Sequence, residues 1–199
     1  MLITEYAQLP SCFITATDTD AGKTYVSCQI LKAWQQQDLT VGAFKPIASG
    51  AIWQDGELVS EDAMALAAVT GQSLQQINPF TFEQPASPHL ADQAGEFDLS
   101  VCVARFQQLL NKYDRVLVEG VGGWCVPLSA DIMLKDLANA IKLPVVMVAR
   151  ISLGCINHSL LTIQQIKHDS QLYHGWIANV IDSEFVEAAS NIQAIEDRI

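Results

Sequence analysis

The chain has 199 residues, half of them hydrophobic and only 17% charged, with a formal net charge of −11. Such a composition excludes a disordered chain, and so acidic a surface excludes non-specific nucleic-acid binding, which needs a cationic face. The length predicts a single domain over residues 1–199, large enough for a substantial core.

The first ten residues, Met1–Pro10, carry no basic residue and no apolar core, so they do not read as a signal peptide. No apolar stretch approaches membrane-spanning length, so no membrane partner is expected. The cysteines at 12, 28, 102, 125 and 155 are odd in number and form no Cys-x-x-Cys pair. That usage predicts a reducing compartment, hence the cytoplasm.

A strand over Ser11–Thr15 contains the apolar run Cys12-Phe13-Ile14. After it, Thr19–Thr24 reads Thr-Asp-Ala-Gly-Lys-Thr and opens a helix over Lys23–Gln37, with Val26, Ile30, Leu31 and Trp34 at helical spacing. Strand, tight loop, Gly-Lys-Thr and helix make the layout of a phosphate-cradling loop. Backbone N–H groups and Lys23 would hold a polyphosphate, and the Thr24 hydroxyl could hold magnesium. The first glycine of the usual spacing is missing, since Ala16 and Thr17 stand there. The bland alternative is a turn made by Gly22 beside a solvated Lys23.

The second strand, Thr40–Lys45, ends on Lys45-Pro46-Ile47-Ala48-Ser49-Gly50. Proline fixes the backbone just after the lysine, so Lys45 is either aimed at a ligand or an edge lysine in water. A helix over Glu61–Thr70 places Asp62 in its first turn, where it is either a metal ligand or an ordinary dipole-stabilised acid. The proline-rich segment Asn78–Glu96 has no period and predicts a long loop. A helix over Leu99–Lys112 follows. Asp114 precedes the third strand and belongs at the opposite edge of the sheet.

That third strand, Arg115–Glu119, closes on an acid and runs into Gly120-Val121-Gly122-Gly123-Trp124. An acidic residue followed by glycines suits a second metal carboxylate beside a loop that lets ligand approach the backbone; a glycine-rich turn with a capping glutamate is the alternative. A helix over Ile132–Ala140 and a strand over Val145–Ala149 come next. Ser152–His158 opens a helix over Asn157–His168, whose free N–H groups could bind a carboxylate. A Cys155–His158 nucleophile pair is disfavoured because no third group orients it. His89, His168 and His174 read as structural or surface residues. The last elements are a strand over Gly175–Ile181 and a helix over Glu184–Asp197. Core packing is expected for Met64, Met133, Met147 and the tryptophans, with Trp124 the exception that lines the site.

Strands alternating with helix-length pieces predict an α/β fold: three α/β/α layers on a mainly parallel central sheet, of the P-loop NTPase type. Ligands of such sheets bind outside the carboxyl ends of the strands, where these motifs fall.

Taken together the motifs resemble the dethiobiotin synthetase family. The matching words are residues 17–24, Lys45–Gly50, Asp62, Pro79–Phe82, Pro85–His89, Val118–Trp124 and Leu153–His158, in the family's order over residues 11–181. The resemblance implies an ATP- and Mg2+-dependent ligase that closes the ureido ring of the biotin precursor from 7,8-diaminopelargonate and CO2, as a homodimer. It implies Lys45 and Lys23 as catalytic lysines, and nucleotide contacts from Asp20, Ala21, Gly22, Lys23, Thr24, Tyr25, Asp62, Glu119, Gly120, Val121, Gly122 and Asn179. Asn179 would read the adenine, and Thr24, Asp62 and Glu119 would surround the metal. Thr19 and Ser49 would contact the carbamate. Gly154, Cys155, Ile156 and Asn157 would hold the substrate carboxylate, from the partner subunit of the dimer.

Two departures accompany the resemblance. Ala16 stands where the family has glycine, so the loop must enter there with ordinary backbone geometry. The family also continues beyond Ile199, where this chain's helical pattern stops without a glycine or proline signal; that implies either a truncated chain or a more open nucleotide pocket. Rival readings are an ATPase switch of the partitioning type, disfavoured because residues 16–21 hold no lysine, and a non-catalytic nucleotide-binding module. A cobyrinate-type amide ligase would need a further glutamine-hydrolysing domain.

Overall fold

A computed structural model describes residues 1–199. In chain order the elements are β1 (Cys12–Ala16), α1 (Lys23–Gln35), β2 (Val41–Phe44), β3 (Ile47–Ser49), β4 (Ile52–Gln54), β5 (Glu57–Val59), α2 (Glu61–Thr70) and α3 (Leu74–Ile77). There follow β6 (Phe80–Phe82), α4 (Pro88–Ala91), α5 (Leu99–Leu110), β7 (Arg115–Glu119), α6 (Leu134–Ile141), β8 (Val145–Arg150), α7 (Cys155–Asp169), β9 (Tyr173–Asn179) and α8 (Ala188–Glu196). A short 3-10 turn covers Tyr6–Gln8.

Five strands form one sheet in the order β2-β7-β1-β8-β9, every pair parallel. Side chains alternate across it with period two. Phe13, Val116, Val118, Val145, Met147 and Trp176 pack on one face against α5, α6, α7 and α8. Cys12, Ile14, Leu117, Val146, Val148 and Ile177 pack on the other against α1 and α2. Both faces are covered, so β7 and β8 read as continuous apolar runs rather than alternating ones. The carboxyl ends of β1, β2 and β7 lie side by side, which brings the segments after Ala16, Phe44 and Glu119 to one rim. Asp114 sits at the other rim, where its carboxylate accepts from the Thr40 amide at 2.9 Å and the Thr40 hydroxyl at 2.6 Å. No helix is long and apolar enough to cross a membrane.

The expected long loop over Asn78–Glu96 is corrected by the structure. Phe80–Phe82 is a strand that pairs in parallel with Ile47–Ser49, and Pro88–Ala91 is a helical turn begun by proline. Three-residue strands carry too little sequence to show a period, and their partners lie about thirty residues away. Three core assignments are also corrected: Trp53 is 62% exposed on the β4–β5 hairpin, and Met64 and Met133 are exposed on their helix or loop. Trp34, Trp176 and Met147 are fully buried, as expected.

Candidate active site

Loop 17–22 leaves β1 from Ala16, which is buried and carries no positive φ. An alanine is therefore tolerated where the loop departs. The tight step comes later. Asp20 has φ +57° and Gly22, the N-cap of α1, has φ +87°. Gly22 is required twice over, because a Cβ there would also lie 2.1 Å from Asn179 Nδ2. The Asn179 amide donates to the Ala21 carbonyl at 2.9 Å, so the end of β9 buttresses the loop from beneath.

Lys23 points back across the loop. Its Nζ donates to the Gly122 carbonyl at 2.8 Å and to the Asp18 carbonyl at 3.4 Å. Lys45 is only 1% exposed, and all three of its N–H groups are engaged: Glu119 Oε1 at 2.7 Å, Asp62 Oδ2 at 2.7 Å and the Gly120 carbonyl at 3.1 Å. Thr24 Oγ1 lies 2.6 Å from Asp62 Oδ1 and 2.9 Å from Glu119 Oε1, and its one proton serves one carboxylate at a time. Lys45 is thus not the solvated edge lysine, and Asp62 is more than a dipole-stabilised first-turn acid. The backbone of Lys45 is itself held: its N–H donates to the Ile77 carbonyl at 2.8 Å, and its carbonyl accepts from Asn78 Nδ2 at 2.8 Å.

Buried charge needs matching partners. Burial alone would lower the Lys45 pKa, but the carboxylates of Glu119 and Asp62 outweigh it and hold the value above that of an ordinary lysine. Burial would likewise raise Asp62, yet Lys45 and the Thr24 hydroxyl bring it down. Lys23 has no direct carboxylate partner. Burial first, then repulsion from Lys45, lowers it to about 8.

A pH dependence follows with a definite sign. The folded value of Lys23 lies below the unfolded one, about 10.4. Its ammonium therefore costs stability in full below about pH 8, and that cost is relieved as pH rises from about 8 towards 10.4. Nucleotide binding runs the other way, because a polyphosphate favours the charged amine. Affinity for ATP is expected to fall as pH rises through about 8, with proton uptake on binding. Calorimetry at pH 8.5 in two buffers of different ionisation enthalpy measures that uptake; none would refute the assignment of Lys23 to the phosphates.

Lys23, Thr24, Lys45 and Asp62 line one cleft of about 750 Å³, together with Thr19, Asp20, Gly22, Ser49, Val121 and Gly122, whereas Glu119 is fully buried behind them and Ala21, Gly120 and Asn179 are not on its wall. Ala48 and Val126 also line it, and a further wall is Pro85–Pro88, which follows β6 and runs into the start of α4. The sequence gives that segment no named role, although Pro85–His89 is one of the words that match the family. The β3–β6 pair carries Ser49 on one strand and leads into Pro85 from the other, which explains why both reach the cleft.

Several expected residues lie elsewhere. Trp124 does not line the site: it is 2% exposed, and its indole N–H donates to Asp169 Oδ2 at 3.0 Å. Gly154, Cys155, Ile156 and Asn157 start α7 and are not among the residues lining the cleft. Cys155 turns into the core, and its thiol contacts Asn191 Oδ1 at 3.6 Å. Tyr25 projects outward from α1 and does not line the cleft either.

A hard cation suits the group around Thr24. Its donors are all oxygen, and Glu119 Oε2 is buried with no hydrogen-bond partner. No third acid, histidine or cysteine joins the two carboxylates. That number fits Mg2+, which usually takes one or two carboxylates and completes its shell with waters and substrate phosphates.

A family model described as an AAA domain matches residues 11–199. The ATP-dependent dethiobiotin synthetase BioD of Aromatoleum aromaticum is 39% identical over 191 residues, covering 94% of this chain and 85% of the relative. The chain belongs to the dethiobiotin synthetase family. Another member of the family, the BioD enzyme of Yersinia pestis bv. Antiqua, is 42% identical over 173 residues, or 85% of this chain and 72% of its own. Among solved structures, the MinC:MinD cell division complex of Aquifex aeolicus matches with TM-score 0.55 at 14% identity, covering 94% of this chain and 78% of that one. The kinase domain of Escherichia coli tyrosine kinase ETK matches with TM-score 0.52 at 19% identity, covering 88% and 69%. Those structural likenesses show the fold alone, an α/β domain on a parallel sheet, and nothing about activity.

Proposed function

We propose that this chain is an ATP-dependent dethiobiotin synthetase, closing the ureido ring of 7,8-diaminopelargonate with CO2 and releasing ADP and phosphate. Family membership supports the reaction class. The geometric observation that carries it is the convergence of Lys23 and Lys45 on one loop. Their ammonium groups bond to the Gly122 and Gly120 carbonyls, two residues apart, in the same cleft.

The chemistry needs that convergence. One amine of the substrate adds to CO2 and loses a proton, giving a carbamate. A carbamate oxygen forms a bond to the γ-phosphorus as the bond to ADP breaks. The second amine attacks the activated carbonyl carbon and gives up a proton, the ring closes, and the carbon–oxygen bond to phosphate breaks so that phosphate leaves. Carbamate and triphosphate are both anions and repel as they approach, in a chain whose net charge of −11 makes the field worse. Fixed ammonium groups in a desolvated cleft offset that repulsion and stabilise charge on the transferring phosphoryl oxygens.

Lys23 and the backbone N–H groups at the start of α1 hold the triphosphate, and Lys45 faces the γ-phosphoryl group and the carbamate. Thr19 and Ser49, both on the cleft wall, bind the carbamate. Thr24, Asp62 and Glu119 would hold Mg2+, which supplies further neutralisation of the phosphate oxygens when bound. Asn179 supports the loop through the Ala21 carbonyl, and its proposed role is to read the adenine. Gly154–Asn157 reach the substrate carboxylate from a second copy of the chain, in a cytoplasmic homodimer.

The test is phosphate release with ATP, Mg2+, bicarbonate and diaminopelargonate. Turnover is expected with the full mixture and its loss when the diamine is left out. Equal turnover without the diamine would instead identify a nucleotide switch, and nucleotide binding with no turnover would identify a binding module.

A further inference from the structure

The carbonyls that aim both lysines belong to the loop Gly120–Trp124, and the far end of that loop is anchored outside the cleft. Trp124 Nε1 donates to Asp169 Oδ2 at 3.0 Å, from a ring buried in the core. Asp169 is the last residue of α7 and gathers donors from two helices. Gln165 Nε2 reaches Oδ2 at 2.9 Å, Lys135 Nζ reaches Oδ1 at 3.3 Å, and His168 Nδ1 lies 3.2 Å from Oδ1. The backbone carbonyl of Asp169 is tied as well, accepting from Asn139 Nδ2 at 3.3 Å. The carboxyl is held at about 2: burial would raise it, but the donations from Gln165, His168, Trp124 and Lys135 outweigh that.

We propose that Asp169 is a positioning residue for the phosphoryl-transfer site, acting through Trp124 on the loop that orients Lys23 and Lys45. The geometry favours a positioning role over a packing role for two reasons. A buried indole needs a partner for its N–H, and here that partner comes from the ionised carboxylate of another element. Moreover, the loop between the anchor and the lysine acceptors is short and largely glycine: Gly120, Val121, Gly122, Gly123, with Gly122 at φ +58°. Such a segment has little stiffness of its own. At one end the Gly120 N–H donates to the Ile14 carbonyl at 2.9 Å; at the other the Gly123 carbonyl accepts from the Val126 N–H at 3.3 Å, and Trp124 is the side-chain anchor. Freed at the Trp124 end, the Gly122 carbonyl would move relative to Lys23, and misplacement by about 1 Å at a phosphoryl-transfer site costs up to about a hundredfold in rate.

This proposal rests on the dethiobiotin synthetase reading for its turnover assay, so nucleotide affinity is measured in parallel without the diamine. Asp169→Ala is expected to lower kcat by about tenfold and to weaken ATP binding by about threefold. Trp124→Phe keeps the ring and loses the N–H, and should reproduce that loss; adding Asp169→Ala to it should change kcat little further. Lys135→Ala removes the ion pair but leaves the indole contact, and should keep kcat and ATP affinity at the parent level while lowering the melting temperature. Should the Trp124 variant fail to fold, Asp169→Asn supplies the second arm. Its amide oxygen still accepts from the indole, so it should recover most of the kcat lost in Asp169→Ala. Parent-level kcat and ATP affinity in Asp169→Ala would overturn the proposal. So would additive losses in the double variant, or an equal loss in Lys135→Ala, each of which marks general destabilisation. If the parent enzyme binds ATP but does not turn over the diamine, the reaction assignment fails, and the affinity series still decides the anchor.

Discussion

Replacing Lys45 with methionine is expected to cut turnover about a hundredfold or more at saturating ATP and diamine. Loss of one preorganised donor to a developing oxyanion costs about 3–4 kcal/mol. Lys45 is a stronger case than a neutral donor, because it brings a full charge into a cleft where few other cations are available: the whole chain has 11 Lys and Arg. The same change strands Glu119, which is fully buried and loses its only ammonium partner. Removing one member of a buried ion pair typically destabilises a protein by about 3–5 kcal/mol. The variant should therefore melt well below the parent, and its kinetics should be taken at a temperature where both are folded. Lys45→Arg should fare little better, since a planar guanidinium cannot reproduce three donations made from one nitrogen. Steady-state phosphate release and thermal melts check both effects. Turnover within tenfold of the parent would remove Lys45 from the chemistry.

The second large effect concerns the phosphate loop. Gly22→Ala puts a Cβ on a residue at φ +87°, which costs about 1–3 kcal/mol by itself. It also places that carbon 2.1 Å from Asn179 Nδ2, so the amide must move and the 2.9 Å bond to the Ala21 carbonyl must break. Both consequences fall on the segment whose N–H groups face the phosphates. ATP affinity is expected to drop at least about tenfold, which corresponds to about 1.4 kcal/mol. Gly95→Ala provides the control. Gly95 also has a positive φ, +68°, but nothing lies within 4 Å of its Cβ position. That variant should lose stability through the backbone alone and bind ATP like the parent. Titration calorimetry on the two variants separates the cases, and equal affinity would show that the Asn179 buttress is irrelevant to the loop.

The parts of the site legible in the sequence were those built from contiguous residues. Thr19–Thr24 lies between an apolar strand and an amphipathic helix, so its role could be read locally. Glu119 closes a strand and Lys45 directly follows one, and the rule that ligands gather at the carboxyl rim of a parallel sheet was enough to bring them together before any contact was known. Five central strands and the longer helices were found for the same reason: each carries its own periodicity or apolar run, which the four-residue helices Leu74–Ile77 and Pro88–Ala91 are too short to show. Boundaries shifted by up to a few residues, as for the helix expected over Asn157–His168, which in fact begins at Cys155.

Pairings between distant segments were not legible. Nothing near Phe80 announces that it will pair with Ile47, and a three-residue strand has no period to display. Trp124 was misplaced because its sequence neighbours are glycines of the cleft, whereas its ring is claimed by a carboxylate 45 residues away. Pro85–His89 matched the family as a word, but its place on the cleft wall and the hold of Asn78 on the Lys45 carbonyl needed the fold for the same reason.

The amino-acid order alone determined the layer architecture, the phosphate loop and which strand ends would carry charge, because those depend on local periodicity and on the chemistry of neighbouring residues. Tertiary structure decided the ionic partners of Lys45, the depressed proton affinity of Lys23 and the turn of Trp124 away from the cleft to Asp169. Those properties depend on desolvation and on distances of about 3 Å between groups far apart in the chain, and such distances exist only once the core has closed.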